Sequence, residues 1–488
     1  MPNGRKHIGL IDADLLDGGT RHPNLVLLKI AGYLKDNGYV RDGWNKGEEL
    51  SYDLVTVKKE NINGDLDWRF ILEDYDWFYM SRVFTFTNPP DIYLEALNHY
   101  PDQIGKFQCG GTGDYANLSV EQGFAKARRQ DMSKLSTDLF LNTLRDLKTK
   151  EIGINMKTQM PDYHLYDDYI DTIDPERKSN RFKDYRYYSI GFLTRGCFRK
   201  CSFCVNKLER FAVPYSKVED FLDNERDENG HLLRPYIYLW DDNFLSSPKW
   251  KEMLQSLIDT GRPFQFRQGL DERLIAQSKR GEEMAIMLSK SKYHGDFIFA
   301  FDNWDDRKII EKALKIWKRH CPKKGTKFYL FCGFKQTPDD KALFLKDICE
   351  IFMRIRVLMR YGCIGYIMRH EDYKKAPISN IYIQIARWCN QQQFYKKMSF
   401  WEFCYRNQSY WEKQNNIGDN DPELISFEAF EKKVQEHYYD TVKMCLPLES
   451  ILNVLAMFPG HKKLLLDFFN QKMVDLKNPA LWEHKGQL

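Results

Sequence analysis

Short apolar segments recur through the middle of this chain, and helical patterns separate them. The segments are Ile190–Leu193, Tyr236–Trp240, Phe264–Phe266, Phe297–Phe301, Lys327–Phe331 and Cys363–Met368. One intervening helix is well marked, with Ser247 as its cap, Pro248 in its first turn and Gly261 as its stop. Strands that alternate with helices form parallel sheets. Residues 186–385 therefore predict an incomplete β/α barrel with its site at the carboxyl ends of the strands.

An earlier set of alternating strands and helices occupies residues 1–150. Its predicted strands are His7–Ile11, Leu54–Val57, Trp77–Ser81 and Phe107–Cys109, with a helix between Pro23 and Gly38. This pattern predicts a Rossmann-like domain with helices on both faces of a parallel sheet. Residues 151–185 are polar with little periodicity, so we interpret them as a linker, and residues 386–488 predict a helical extension.

The composition excludes several classes of protein. A hydrophobic content of 43% is typical of a globular chain and not of a disordered one. The formal net charge of +4 is small for 488 residues, so no global electrostatic pattern favours nucleic acid, although a local basic face would be compatible with it. The apolar stretches are too short for a secretory signal or a membrane span. We therefore expect a cytoplasmic protein, in which the eleven cysteines form no stable disulfides.

Three of these cysteines form a cluster, Cys197, Cys201 and Cys204, with the spacing Cx3Cx2C on one short loop after the first predicted barrel strand. Three thiolates can hold three irons of a cubane cluster and leave the fourth iron open. An open coordination position is what a catalytic metal centre needs. The other eight cysteines are scattered, as buried thiols that act as small hydrophobes would be.

Two other interpretations of the triplet remain. A structural zinc ion normally takes four ligands, and no second Cys or His pair lies nearby, since the next histidine is His231. Inert buried thiols are the other alternative, but Arg199 and Lys200 flank the cysteines and favour a reactive, exposed loop. The spacing therefore favours an iron–sulfur cluster.

The triplet, with Phe203 before its last cysteine, resembles the signature of the radical S-adenosylmethionine (SAM) superfamily. The resemblance implies a partial (β/α)6 barrel that carries a [4Fe-4S] cluster on Cys197, Cys201 and Cys204. It also implies that SAM binds the open iron and is cleaved reductively to methionine and a 5′-deoxyadenosyl radical. A reducing partner such as a flavodoxin or a ferredoxin would supply the electron.

The resemblance also suggests residues that contact SAM. Asp241 and Asp242 follow the second barrel strand, where the superfamily usually has a Gly-Gly-Glu element, and the missing glycines leave that contact open. Asp302, Gln268 and Gly333 end three later strands and are further cofactor-binding candidates. Each of these residues could instead be a helix cap or a turn residue.

The N-terminal half resembles the superfamily's subgroup that begins with a cobalamin-binding-type domain. Gly110 and Gly111 are similar to that subgroup's glycine turn, and the helix after Pro23 to its first helix. The resemblance makes cobalamin a candidate cofactor, although an axial-histidine signature is absent and the glycines could form an ordinary turn. Residues 1–385 further resemble a poorly characterised group of bacterial and phage radical SAM proteins. Its recurrent segments are residues 84–87, 191–197 and 268–271.

Rings and cations alternate over residues 381–411, including Tyr382, Arg387, Trp388 and Trp401. Such a stripe can bind a nucleic-acid strand, but helical periodicity favours helices that pack onto a barrel. Three functions follow. We favour a radical SAM enzyme of unknown substrate that catalyses methyl or methylthio transfer, with rearrangement or crosslinking as the competing reactions. The alternatives are a nucleic-acid-binding protein with a structural metal and no turnover, and a degenerate barrel that keeps its cluster.

Overall fold

The computed structural model describes residues 5–58, 68–84, 87–111, 153–204, 206, 209–415, 424–436 and 444–483. These residues form a mixed α/β structure with parallel sheets. The chain divides into two compact units, Met1–Gln265 and Phe266–Leu488. The division falls within residues 186–385, which we predicted to be one barrel domain, so the predicted domain layout stays a prediction.

The first unit opens with a five-stranded parallel sheet. Its strands are β1 (Lys6–Asp12), β2 (Val40–Arg41), β3 (Leu50–Leu54), β4 (Trp77–Ser81) and β5 (Phe107–Gly110). Their order is β2-β3-β1-β4-β5, with β1 paired to β3 on one side and to β4 on the other. This order is compatible with a Rossmann-like fold, and it creates a topological switch point between β1 and β4.

The helices in the described part of this unit are short. They are α1 (Ala13–Asp17), α2 (Leu25–Asp36), α3 (Trp68–Asp74), α4 (Asp91–His99), α5 (Asp167–Ile173), α6 (Lys183–Tyr187) and α7 (Trp250–Asp259). The β1 strand is buried on both faces because Leu10 packs into one hydrophobic cluster and Ile11 into another. Asn24 caps α2 by accepting hydrogen bonds from the N–H groups of Val26 and Leu27.

Residues 153–185, which we interpreted as a linker, pack against α2. The Leu28 carbonyl accepts a hydrogen bond from Asp162 N at 2.8 Å, and the Lys29 ammonium donates to the Met156 carbonyl at 2.7 Å. A Cβ atom on Gly32 would lie 2.0 Å from the Met160 carbonyl oxygen. Tyr163 and Tyr166 are buried in the same cluster as α2. The segment is therefore part of the N-terminal core, which its polar sequence did not indicate.

A second sheet of the first unit contains β6 (Tyr188–Gly191), β9 (Tyr236–Leu239) and β10 (Phe264–Phe266) in the order β10-β9-β6. Between β6 and β9, two short strands pair in antiparallel fashion: β7 (Thr194–Arg195) and β8 (Val213–Pro214). At the predicted helix cap, Ser247 Oγ accepts from Lys249 N at 3.4 Å and the Ser247 carbonyl accepts from Trp250 N at 3.1 Å, whereas α7 itself begins at Trp250.

The second unit contains a three-stranded parallel sheet. Its strands, β11 (Phe297–Ala300), β12 (Thr326–Cys332) and β13 (Ile364–Arg369), lie in that order. An isolated parallel bridge joins Leu270 to Phe299. The six strands predicted from 190 onward are thus present, in two sheets of three. Closure of these sheets into one partial barrel stays a prediction.

Helices make up most of the rest of the second unit as far as it is described. They are α8 (Arg273–Gln277), α9 (Gly281–Lys290), α10 (Arg307–His320), α11 (Lys341–Arg360), α12 (Ser379–Cys389), α13 (Gln392–Lys397), α14 (Phe400–Gln414), α15 (Phe427–Glu436), α16 (Leu446–Met457), α17 (Lys462–Phe469) and α18 (Met473–Leu476). None of the helices in the described ranges is both long enough and apolar enough to cross a bilayer.

Most aromatic side chains of the stripe at residues 381–411 face the interior, whereas Tyr410 is 62% exposed. Tyr382, Trp388 and Trp401 are at most 2% exposed, and the Trp388 indole donates to the Met398 carbonyl. Arg387 and Lys396 lie on the surface. Buried rings with solvated cations are what packing requires, and they leave these indoles and phenols unable to stack on a nucleic-acid base without unfolding.

Candidate functional site

The loop that carries the cysteines is closed at its base by β7 and β8. Thr194 pairs with Pro214 and Arg195 with Val213, so residues 196–212 emerge from a short antiparallel pair. Beyond these two pairs, Cys197 N donates to the Glu209 carbonyl at 3.0 Å, which links the two sides of the loop. The sequence analysis missed this pair, because strands of two residues carry no periodic signal.

Gly196 allows the loop to begin. Its φ is +99°, and a Cβ atom there would lie 2.2 Å from the Phe211 carbonyl oxygen. A side chain would therefore meet both a strained backbone conformation and a steric clash with the returning strand. The motif's glycine is required by the close approach of two backbone segments.

The three cysteines are partly exposed. Cys204 N donates to the Cys201 carbonyl at 3.1 Å, which forms a turn between the last two cysteines. Cys197 Sγ accepts hydrogen bonds from Arg199 N at 3.4 Å and from Asn243 Nδ2 at 3.3 Å. Two N–H donors aimed at one sulfur suit a thiolate ligand, and three thiols on one accessible loop are the donor set that an open-iron cubane needs.

The sulfurs are not gathered around one point. Among the residues that the structure describes, no three His, Cys, Asp or Glu side chains are placed to share a metal ion. The chemistry of the donor set thus fits an iron–sulfur cluster, whereas a formed site is not seen. The predicted cluster on Cys197, Cys201 and Cys204 stays a prediction.

Asp241, one predicted SAM contact, is only 1% exposed and faces the base of the cysteine loop. Its Oδ1 accepts from Thr194 N at 2.5 Å and from the Thr194 hydroxyl at 2.6 Å, while its Oδ2 accepts from Leu193 N at 3.2 Å. Burial raises the pKa of Asp241 to about 7, and these hydrogen bonds lower it. With both oxygens bonded inside the chain, Asp241 positions the loop.

Asp242 lies beside the first cysteine. Its Oδ2 accepts from Gly196 N at 2.8 Å and lies 3.9 Å from Arg195 Nε. Arg195 also lies 3.5 Å from the Glu209 carboxylate, and its guanidinium lies 4.3 Å from the centre of the Phe192 ring. Burial disfavours the charge of Arg195, but the Asp242 and Glu209 carboxylates outweigh burial and raise its pKa. The Asp242 side chain is 25% exposed, so it keeps one accessible face for a ligand.

Three further candidates for SAM contacts, Asp302, Gly333 and Gln268, belong to the second unit. Asp302 Oδ1 accepts from Phe331 N at 3.2 Å, and burial raises its pKa to about 6. Gly333, at φ +74°, donates to Asp347 Oδ2 at 2.7 Å, and a Cβ atom there would lie 2.6 Å from Tyr373 Cβ. Gln268 is exposed. Packing thus accounts for Gly333, whereas Asp302 and Gln268 stay candidates.

Two buried polar residues of the second unit escaped the sequence analysis. Glu272, 2% exposed, accepts from Ala300 N at 3.2 Å, and burial raises its pKa well above the ordinary value. Arg354, 1% exposed, donates from Nη1 to the carbonyls of Phe301, Asp302 and Phe331 at 2.9–3.0 Å. A lone cation among the apolar positions of α11 was the available signal for Arg354.

At the switch point of the N-terminal sheet, the polar groups bond to one another. Asp14 accepts from Val83 N at 2.7 Å and Phe84 N at 3.2 Å, which joins the loops after β1 and β4. Asn24 Nδ2 donates to the Ser81 hydroxyl at 2.8 Å. The Tyr166 hydroxyl donates to Asp12 Oδ2 at 2.7 Å. Among the described residues, these polar groups of the crevice are therefore engaged within the chain.

The predicted glycine turn gives the same picture. A Cβ atom on Gly111, at φ +108°, would lie 2.1 Å from the Arg82 carbonyl oxygen, whereas Gly110 has open space. Gly111 is therefore required by the close approach of the Arg82 backbone. Thr112 and Gly113, and Thr85 and Phe86 of the segment at 84–87, lie outside the described residues. Cobalamin stays a prediction, and we derive no step through it.

We expect the Asp12 carboxyl to make the first unit less stable as pH rises. Burial raises its pKa to about 7 from the ordinary 3.8, although the hydrogen bond from the Tyr166 hydroxyl lowers it. The unfolded chain therefore loses this proton first, and stability falls between these two pH values by about 1.4 kcal/mol per pH unit, before it levels off.

The Asp12→Asn variant removes this titration. The free energy of unfolding of this variant, minus that of the natural chain, should rise by about 1–3 kcal/mol between about pH 5 and about pH 8, as measured by thermal unfolding. Asp36→Asn, an exposed carboxylate on α2, is the matched control and should leave the difference constant. A constant difference for Asp12→Asn would show that Asp12 is ionised and stabilised in the folded protein.

In comparisons with known proteins, this chain matches no family model and no curated protein.

Proposed function

We propose that this protein is a radical SAM enzyme that cleaves S-adenosylmethionine reductively at a [4Fe-4S] cluster in order to modify a substrate. The observation that carries the proposal is the Cx3Cx2C loop that follows β6, with three accessible thiols and two N–H groups donating to Cys197 Sγ. When bound, a cluster with an open iron supplies the electron that cleaves SAM to methionine and a 5′-deoxyadenosyl radical.

The residues around the loop have distinct roles in this proposal. Cys197, Cys201 and Cys204 would hold the cluster. Asp241 fixes the backbone where the loop begins, through Leu193 and Thr194. Asp242, with its accessible face, is the best placed carboxylate of the first unit to accept a hydrogen bond from the SAM ammonium. In the second unit, Asp302 is the corresponding proposal for the SAM carboxylate or ribose.

The reaction on the substrate is proposed more broadly. Methyl or methylthio transfer rests on the resemblance of the N-terminal domain alone. Hydrogen abstraction that leads to rearrangement or crosslinking needs only the cluster and SAM. Stoichiometric 5′-deoxyadenosine without a transferred methyl group would support hydrogen abstraction. A flavodoxin or a ferredoxin is the proposed electron donor.

The competing proposal is a nucleic-acid-binding protein with a structural metal. Buried rings in residues 381–411 make it weaker, since most of the aromatic side chains that would stack on bases lie in the core. It requires one zinc ion per chain and salt-dependent binding to an oligonucleotide. Iron with stoichiometric sulfide would contradict it.

The deciding experiment is anaerobic. The protein is reconstituted with iron and sulfide, reduced with dithionite and mixed with SAM, and 5′-deoxyadenosine is quantified. We expect the natural chain to form it and Cys201→Ala to lose at least about 100-fold of the rate, because an essential ligand to the cluster is missing. Cys349→Ala, another partly exposed cysteine, is the matched control and should behave like the natural chain. If the natural chain takes up no iron and cleaves no SAM, the proposal is refuted.

A further inference from the structure

Asn243 has an unusual place in the first unit. It follows Asp241 and Asp242 after β9, is 3% exposed and occupies the cap position of the 3-10 turn Phe244–Ser246. Asparagine at such a position usually accepts a hydrogen bond from the turn's own N–H groups. Here the side chain makes no capping hydrogen bond, and its Nδ2 donates to Cys197 Sγ at 3.3 Å.

The backbone of Asn243 is held firmly. Its carbonyl accepts from Ser246 N at 3.1 Å and from the Ser246 hydroxyl at 2.9 Å. On its other side, Asp242 holds Gly196 N and Asp241 holds Thr194 N. Three consecutive residues therefore hold the start of the cysteine loop: two carboxylates fix its backbone, and the amide fixes the first sulfur.

An N–H group directed at a thiolate sulfur interacts more strongly when the sulfur carries more negative charge. Reduction of an iron–sulfur cluster adds negative charge that its sulfur ligands share. A hydrogen bond to a ligand sulfur therefore stabilises the reduced form and raises the reduction potential. Because Asn243 is buried, water cannot easily replace this donor if the amide is removed.

We propose that Asn243 is a positioning residue that orients Cys197 Sγ and raises the reduction potential of the cluster that this cysteine ligates. The inference rests on the proposed function, because it requires an iron–sulfur cluster on the loop. It adds a role that the cysteine spacing does not reveal. In this role the segment 241–243 tunes the metal centre from outside its ligand set.

The test compares Asn243→Asp and Asn243→Leu with the natural chain, all reconstituted anaerobically. Aspartate keeps the shape of asparagine but offers the sulfur no N–H group, and leucine removes every polar atom. The control is Asn206→Leu, on the same loop, where the amide donates to Glu209 Oε2 at 3.3 Å. The measurements are iron content and the midpoint potential of the cluster, determined by a redox titration followed by electron paramagnetic resonance.

We expect the midpoint potential of both Asn243 variants to shift to more negative values, with the larger shift for Asn243→Asp because it adds a negative charge. Asn206→Leu should keep the natural potential. Asn243→Leu decides the test, because it removes the N–H group without adding a charge; if it takes up no iron, the smaller Asn243→Ala takes its place. A midpoint potential of the deciding variant equal to or above that of the natural chain overturns the inference. A natural chain that forms no iron–sulfur cluster refutes the proposed function instead, before any variant is compared.

Discussion

Replacement of Gly196 by alanine should nearly abolish iron uptake while most of the fold persists. Alanine at φ +99° is strained by about 1–3 kcal/mol, and its Cβ atom would lie 2.2 Å from the Phe211 carbonyl oxygen. The carbonyl belongs to the returning backbone, so the clash is relieved only if β7 and β8 separate. The hydrogen bond from Gly196 N to Asp242 would then be lost. We expect cluster content to fall at least about tenfold, measured as iron and sulfide per chain.

Gly230→Ala provides the matched control. Gly230 also has a positive φ, +79°, in a turn of the first unit, but no atom lies within 4 Å of a Cβ atom built there. The control therefore introduces the backbone strain without the clash, and it should destabilise the chain by about 1 kcal/mol and leave iron uptake unchanged. Normal iron content in Gly196→Ala would contradict the claim that the loop needs this close approach.

Replacement of Arg354 by methionine should lower the stability of the second unit by about 3–5 kcal/mol. The guanidinium donates to three carbonyls at the carboxyl ends of β11 and β12, and its Nε donates to the Glu350 carbonyl at 3.1 Å. Methionine fills a similar space but leaves the three carbonyls buried without this donor. The expected result is a lower free energy of unfolding, with faster amide exchange in β11 and β12.

Arg360→Met is the matched control, and it tests whether removal of any arginine from α11 lowers the stability as much as removal of Arg354. Arg360 lies on the same helix, is 43% exposed and is 3.8 Å from Glu311. A surface ion pair contributes about 0–1 kcal/mol, so this variant should unfold almost like the natural chain. Equal effects of the two replacements would show that the buried hydrogen bonds of Arg354 contribute little.

Most strands of the sheets could be predicted from the sequence, because a buried parallel strand is a short run of apolar residues between turn signals. Phe264–Phe266 and Trp77–Ser81 have the predicted bounds, but β3 is displaced. We predicted Leu54–Val57, whereas the strand is Leu50–Leu54 and buries Ser51 and Tyr52. Polarity misled the prediction, since buried polar side chains that find partners look like loop residues.

Residues 153–185 show the same limit on a larger scale. Their polar atoms made the segment resemble a linker, yet the Tyr163 hydroxyl accepts from Ile190 N at 2.8 Å and donates to the Phe221 carbonyl at 2.7 Å. Tyr166 connects in the same way to Asp12. A tyrosine carries a large apolar ring with one polar atom, so its burial depends on a partner that only the folded chain provides.

The sequence thus predicts the features that depend on residues close together in the chain. These are the apolar runs of the strands, and the Cx3Cx2C spacing that makes one loop a candidate metal-binding loop. The roles of Asp241, Asp242 and Asn243 could not be predicted from the sequence in this way. The resemblance assigns the two aspartates to SAM; folding brings both of them to the backbone at the start of a loop 46 or 47 residues earlier in the chain, and it brings Asn243 to the first sulfur of that loop. Hydrogen bonds form between groups that meet in space within about 3 Å, and sequence periodicity carries no record of which distant groups those are.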